Sequence, residues 1–302
     1  MSTDTARDVE ILDRLPATGP MLARAALTSF GKPGARAGLP RRSVLLRGLE
    51  QDAGRLAGYA RVCGFTLRDR VPATWLHVLT FPLQTHLLTS RDFPFAAAGM
   101  VHVANRMTLH RPVLVGERLD LEVHTDNLRA HRAGVALDVV EQVRVGDETV
   151  WDGVSTYLVK GARMPEGAAG ADAAPEVDAG ARTESADLPR PWAVWRLHGR
   201  LGRDYASVSG DVNPIHLHPL AAKAFGFPRT IVHGMWTHAR ALAALDGRLP
   251  DAYTATVAFR KPVLLPSTVT FGARPAGGGW EFAVTGRDGE RVHLTGRVDP
   301  LP

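Results

Sequence analysis

The sequence predicts an α+β fold built from two tandem copies of one unit, and three observations predict it. Three short blocks recur in the same order in both halves. Each half has one run suited to a buried helix, followed by strand-like runs with tight turns between them. Between residues 161 and 191 the composition shifts to Ala, Gly, Pro, Asp and Glu with almost no large apolar side chain, the composition of a linker.

The blocks set the register of the repeat. Residues 56–65 (LAGYARVCGF) align with 202–211 (GRDYASVSGD), placing Tyr59 over Tyr205 at 205 − 59 = 146. Residues 72–77 (PATWLH) align with 228–233 (PRTIVH) at 228 − 72 = 156, and 109–114 (LHRPVL) with 259–264 (FRKPVL) at 262 − 112 = 150. Ordered recurrence of this kind marks a duplication. In this alignment the second copy has 156 − 146 = 10 extra residues, around Pro219 to Phe227. Phe65 and Arg70 then occupy the places of Asp211 and His216, so the first copy keeps the scaffold without those groups. His77 and His233 recur, which assigns them a structural role.

In the first half, residues 80–88 read as the buried helix, with Thr80 as N-cap and Pro82 near its start. Strands are expected at 99–109, 118–125, 135–145 and 149–159, with Gly146-Asp147 as a turn. In the second half, 192–198 alternates as a strand, and 220–225 reads as a short helix stopped by Gly226 and Pro228. Residues 235–245, opened by Gly234 and closed at Asp246-Gly247, form an alanine-rich helix that a sheet can wrap closely. Strand-like runs follow at 253–259, 268–273, 280–286 and 291–298, with 277–279 and Asp288-Gly289 as tight turns. The expected division is 1–160, a linker at 161–191, and 192–302.

Composition narrows the function. The chain has 302 residues and a net charge of 36 − 31 = +5. No basic run interleaved with aromatics appears, so nucleic acid is not expected as a partner. An anionic partner of another kind suits the charge equally well. Cys63 is the one cysteine, which excludes an intramolecular disulfide and any multi-cysteine metal site. Residues 1–14 have no apolar stretch, and no apolar run approaches the ~18 residues of a membrane span. A cytoplasmic protein without membrane contact is the expectation. No phosphate loop, dinucleotide fingerprint or nucleophile elbow is present, and no cofactor is expected.

The densest chemistry lies at 205–216, Tyr-Ala-Ser-Val-Ser-Gly-Asp-Val-Asn-Pro-Ile-His, which brings Asp211, Asn213 and His216 into six residues. Asn213-Pro214 also reads as an ordinary helix start, with Asn as N-cap and Pro at the first position. That account leaves His216, Tyr205 and the Ser209-Gly210 pair unexplained. His218 lies two residues on, but the spacing lacks the pattern of a structural zinc site, and no metal is expected. His238 reads as a core or rim histidine, and Arg260 with Lys261 as a carrier-phosphate contact or a solvated strand end.

The stretch resembles the signature of the MaoC-like, or hydratase 2, family, with Tyr205, Val208, Ser209, Gly210, Asp211, Asn213, Pro214, Ile215 and His216 filling its positions. The resemblance covers roughly residues 40–160 and 190–298 and is more specific in the second part. It implies a double hot-dog, two units each with a buried helix wrapped by an antiparallel sheet. It also implies reversible hydration of trans-2-enoyl thioesters, of coenzyme A or an acidic carrier protein, to (R)-3-hydroxyacyl thioesters, as in fatty acid metabolism. Asp211 and His216 would be the acid and base, with Asn213 supporting them. Gly234 would be the oxyanion donor, a role the free N–H groups of a helix start suit, or simply a site of close packing. Tyr205 and Ser209 complete the substrate-binding set. A hot-dog thioesterase and a non-catalytic acyl-thioester binder are the alternatives, and a homodimer is compatible with the fold. The first half is expected to shape an acyl groove lined by Phe65, Phe81, Leu83 and Leu87.

Overall fold

The structure, a computed structural model, describes residues 7–27, 32–165 and 188–302. The first half contains strands β1 (Asp8–Leu12) and β2 (Arg42–Leu49) and helices α1 (Thr18–Leu27), α2 (Ala53–Cys63) and α3 (Ala73–Leu88). Strands β3 (Met100–Leu109), β4 (Leu119–His131), β5 (Gly134–Val145) and β6 (Glu148–Lys160) complete it. The second half has strand β7 (Pro191–Leu197) and helices α4 (Leu201–Ser209), α5 (Pro214–Leu217), α6 (Pro219–Ala224) and α7 (Gly234–Ala244). It ends with β8 (Tyr253–Phe259), β9 (Ser267–Ala276), β10 (Gly279–Gly286) and β11 (Val292–Pro300). Residues 166–187 of the expected linker lie outside the described residues.

All the strands join one sheet, ordered β1-β2-β4-β5-β6-β3-β8-β11-β10-β9-β7. Apart from the parallel β1–β2 pair, its ladders are antiparallel. The order reads outward identically from the centre: β3, β6, β5, β4, β2 on one side and β8, β11, β10, β9, β7 on the other. The halves meet where β3 pairs β8, from Ala104 opposite Ala258 to Leu109 opposite Tyr253. Each half wraps its sheet around one buried helix, α3 or α7, so the fold is a double hot-dog. Helix α3 is apolar on nearly its whole circumference, which is why it must be enclosed. Its buried His77 and Thr80 are tolerated because Glu141 on β5 meets them, and Gln84 Nε2 in turn reaches His77 and Thr80. His77 Nδ1 lies 2.9 Å and Thr80 Oγ1 2.6 Å from Glu141 Oε2, and Ser155 donates to Oε1 at 3.0 Å.

Three expectations are corrected. Helix α3 begins at Ala73 behind Pro72, about two turns before Thr80, and Pro82 sits inside it. The proline was a poor start signal because burial of the whole helix outweighs one missing N–H. The middle repeat block is also out of register. Val71 and Val232 occupy matching places, donating to Val113 O (2.8 Å) and Val263 O (3.0 Å), and the bridges Arg70–Leu114 and Ile231–Leu264 agree. The offset there is 232 − 71 = 161, while the left-handed caps Gly64 and Gly210 keep 210 − 64 = 146. The second copy therefore has 161 − 146 = 15 extra residues. These include α5 and α6, so His216 has no counterpart, Arg70 matches Ile231, and His77 matches His238 rather than His233. Finally, Leu83 and Leu87 are fully buried in the core and do not line an open groove, whereas Phe65 and Phe81 are half-buried.

Candidate functional site

The site is assembled where α4 ends and α7 begins. Helix α4 stops because Gly210 takes a left-handed conformation (φ 80°), its N–H donating to Ala206 O at 2.9 Å. The chain then turns sharply through Asp211. The Ser209 hydroxyl accepts from the Asp211 N–H (3.2 Å), and the Asp211 carboxylate accepts from the Asn213 N–H (3.2 Å). Asn213 is also the N-cap of α5, its side chain accepting from the Ile215 N–H at 3.4 Å with Pro214 next in line. The capping account of Asn213-Pro214 thus holds alongside the placement of Asp211. No hydrogen bond joins the Asn213 side chain to Asp211; the backbone of residue 213 makes that link.

Helix α5 carries His216 inward. It packs so tightly on α4 that a Cβ at Gly202 would lie 2.3 Å from the His216 carbonyl oxygen. His216 is 8% exposed, and its Nδ1 lies 2.8 Å from Ile231 O. A carbonyl only accepts, so Nδ1 carries the proton and Nε2 keeps its lone pair. Burial lowers the His216 pKa, opposed by the charge of Asp211 and by the bond to Ile231.

His233 has the structural role expected of it, a side-chain bond that fixes the turn at Asp211, and that bond also brings its ring against His216. Its ring stacks on that of His216 with centroids 3.6 Å apart, and Tyr205 packs against it at 4.9 Å. His233 Nε2 donates to Asp211 O at 2.9 Å and lies 3.7 Å from the carboxylate. Burial, and then the neighbouring His216, lower its pKa to about 3, so it is neutral. Shifted repeat alignment concealed its place beside His216; the available signal was its position directly before Gly234. One ligand-type atom from each of Asp211, His216 and His233 lies within 4.8 Å of the others, a spacing open to an ion or to a shared water. His233 Nε2 carries a proton toward a carbonyl and has no lone pair there, which favours the water.

Gly234 is the first residue of α7, whose leading N–H groups have no partner within the helix. A Cβ there would lie 3.0 Å from the Phe259 ring, so close packing and an N–H without a partner in the helix coincide at this glycine. Phe259 in turn contacts His102 of the first half (4.9 Å), which stacks on Tyr157 at 4.8 Å. Of the other residues singled out from the sequence, Tyr205 packs on His233, Ser209 accepts from the Asp211 N–H, and Gly234 follows His233 in the chain.

Comparisons with known proteins bear both on this region and on most of the chain. The MaoC like domain family matches residues 201–281. The 3-hydroxyacyl-thioester dehydratase X of Mycobacterium tuberculosis is 40% identical over 263 residues, covering 87% of this chain and 91% of that protein. The crystal structure of HtdX from the same organism superposes with a TM-score of 0.74 at 38% identity, covering 86% of this chain and 100% of the other. A further M. tuberculosis protein, described as having a double hotdog fold, shares the architecture at 18% identity and a TM-score of 0.50, covering 99% of this chain and 97% of that one. The chain belongs to the MaoC-like dehydratase family.

Proposed function

We propose that this protein is a hydro-lyase that interconverts trans-2-enoyl and (R)-3-hydroxyacyl thioesters, using Asp211 and His216 to handle one water. The observation that carries this reading is the tautomer of His216. The bond to Ile231 O leaves Nε2 as an unprotonated base, buried beside the Asp211 carboxylate and stacked on a neutral His233.

In hydration, the water sits between Asp211 and His216 Nε2. Nε2 takes one proton as the water oxygen bonds to C3, and the C2=C3 electrons move toward the thioester carbonyl. The Gly234 N–H, at the positive end of α7, stabilises the enolate oxygen. The imidazolium, stabilised by Asp211, then returns its proton to C2. Dehydration runs the same steps backwards. Asp211 is held for this by the Asn213 N–H and by His233 on its own carbonyl.

The relatives' names support the substrate class: one is a 3-hydroxyacyl-thioester dehydratase, and an enoyl-CoA hydratase ChsH3 is 34% identical over 92 residues. The thioesterase reading is disfavoured because α7 has no carboxylate, and Glu141 beside α3 is sealed by His77, Thr80 and Ser155. The carrier is coenzyme A or a carrier protein, which the net charge suits alike. Among the described residues no helix is long and apolar enough to cross a membrane.

The test is hydration of crotonyl-CoA, followed by loss of enoyl absorbance with product chirality. Asp211→Ala and His216→Ala should each lower turnover by roughly 10²–10⁴-fold with the fold intact. The double variant should cost little more than either alone. Near-normal turnover in either single variant would refute the assignment.

A further inference from the structure

The motif helix α4 ends in carbonyls that its own half does not satisfy. They are taken by the first half. Arg55 donates from Nε to Val208 O at 2.7 Å and from Nη2 to Ser209 O at 3.2 Å. The Thr18 hydroxyl donates to Gly210 O at 2.6 Å. Three successive carbonyls, the last three before Asp211, are thus fixed by residues from helices α2 and α1.

Arg55 is itself well held. Its backbone N–H is bound by the N-cap carboxylate of Asp52 at 2.9 Å, and its guanidinium lies 5.3 Å from the centre of the Trp75 ring. A planar cation at the carbonyl end of a helix meets the negative end of the dipole, and its fork fixes direction as well as distance. The reverse exchange occurs too. The last carbonyls of α2, at Val62 and Cys63, accept from Trp236 Nε1 (3.0 Å) and Arg240 Nη1 (3.5 Å) of α7. Each half caps a helix of the other, but only the end of α4 leads into the proposed chemistry; the end of α2 leads into Phe65.

We infer that Arg55 is a positioning residue for Asp211, setting the direction in which the chain leaves α4, with Thr18 assisting. The duplicated half then contributes to turnover without supplying an acid or base. This rests on the reading of Asp211 as a catalytic group. If Asp211→Asn kept normal turnover, that reading would fail and not the capping itself.

The experiment uses the full chain and crotonyl-CoA. Arg55→Met keeps the apolar stem and removes the fork; kcat should fall about 10- to 10²-fold, as for a reacting group displaced by up to ~1 Å, with KM within about twofold. Arg55→Lys should recover part of the loss, since the charge remains but the two-pronged bond does not. In an Asp211→Asn background, adding Arg55→Met should change the residual rate less than about twofold, because the two act as a unit. Arg240→Met, which uncaps α2, should lower Tm and leave kcat within about threefold. If Arg55→Met does not fold, Thr18→Val provides the same readout, a lower kcat at unchanged KM. The inference is overturned if Arg55→Met alters only KM, if its cost adds in full to that of Asp211→Asn, or if Arg240→Met lowers kcat equally.

Discussion

Replacing Gly202 with alanine sets two effects of opposite sign against each other. In an ordinary helix interior, Gly→Ala stabilises by roughly 1 kcal/mol, because alanine loses less backbone entropy. Here the new Cβ would lie 2.3 Å from the carbonyl oxygen of His216, and ordinary contact begins near 3.4 Å. The oxygen must therefore retreat by about 3.4 − 2.3 = 1.1 Å, and neither atom belongs to a flexible side chain. Helix α5 moves, or α4 does, and His216 is carried with it. A displacement of ~1 Å at a reacting group is enough for about a 10²-fold loss of rate. The bond from Nδ1 to Ile231 O, now 2.8 Å, would be strained too, which loosens the tautomer. The expected result is a folded protein with kcat for enoyl-thioester hydration reduced by around two orders of magnitude. The assay pairs crotonyl-CoA hydration with thermal unfolding. A variant that gains stability by the full helix-propensity amount and retains wild-type kcat would refute the close packing of α5 on α4 as the device that places His216.

Gly234→Ala should lower kcat more than it raises KM, since the Cβ meets the Phe259 ring at 3.0 Å and tilts the helix start; equal activity would remove Gly234 as the oxyanion donor. Because burial lowers the His216 pKa and the neutral ring is the base, kcat/KM should be flat through neutrality and fall with acid only below pH ~6.5; an acid limb above that value would refute the neutral-base mechanism. His102, His233 and His238 are each lowered to about 3 by burial, whereas the unfolded chain binds their protons near 6.5. Below pH 6.5 the unfolded state therefore binds more protons, and stability falls with pH by roughly 2 kcal/mol per histidine at pH 5; a Tm unchanged between pH 7.5 and 5 would contradict their burial.

The duplication and the family were legible because both rest on local signals. Tyr59 and Tyr205 head matching blocks since each lies on a helix stopped by a left-handed glycine, a requirement confined to a few neighbouring residues. Likewise, Asp211, Asn213 and His216 lie within one short stretch, and the turn chemistry that holds them is written there. The strands after each buried helix, and β7, are recognisable from their period and their glycine turns, whereas β1 and β2 are not among the strands read from the sequence.

What the sequence by itself determined, then, is the double hot-dog, the family and the position of the motif that brings Asp211, Asn213 and His216 together. The tertiary structure decided the register of the middle repeat, because a helix that begins at Ala73 rather than Thr80 is fixed by enclosure in the sheet and not by a cap. It also decided that His233 stacks on His216, that Glu141 satisfies the polar face of α3, and that Arg55 caps α4 from 153 residues away. These contacts join segments far apart in the chain. Their partners are selected by which buried carbonyls and carboxylates still lack hydrogen bonds once the sheet has closed, and no local pattern of residues specifies that.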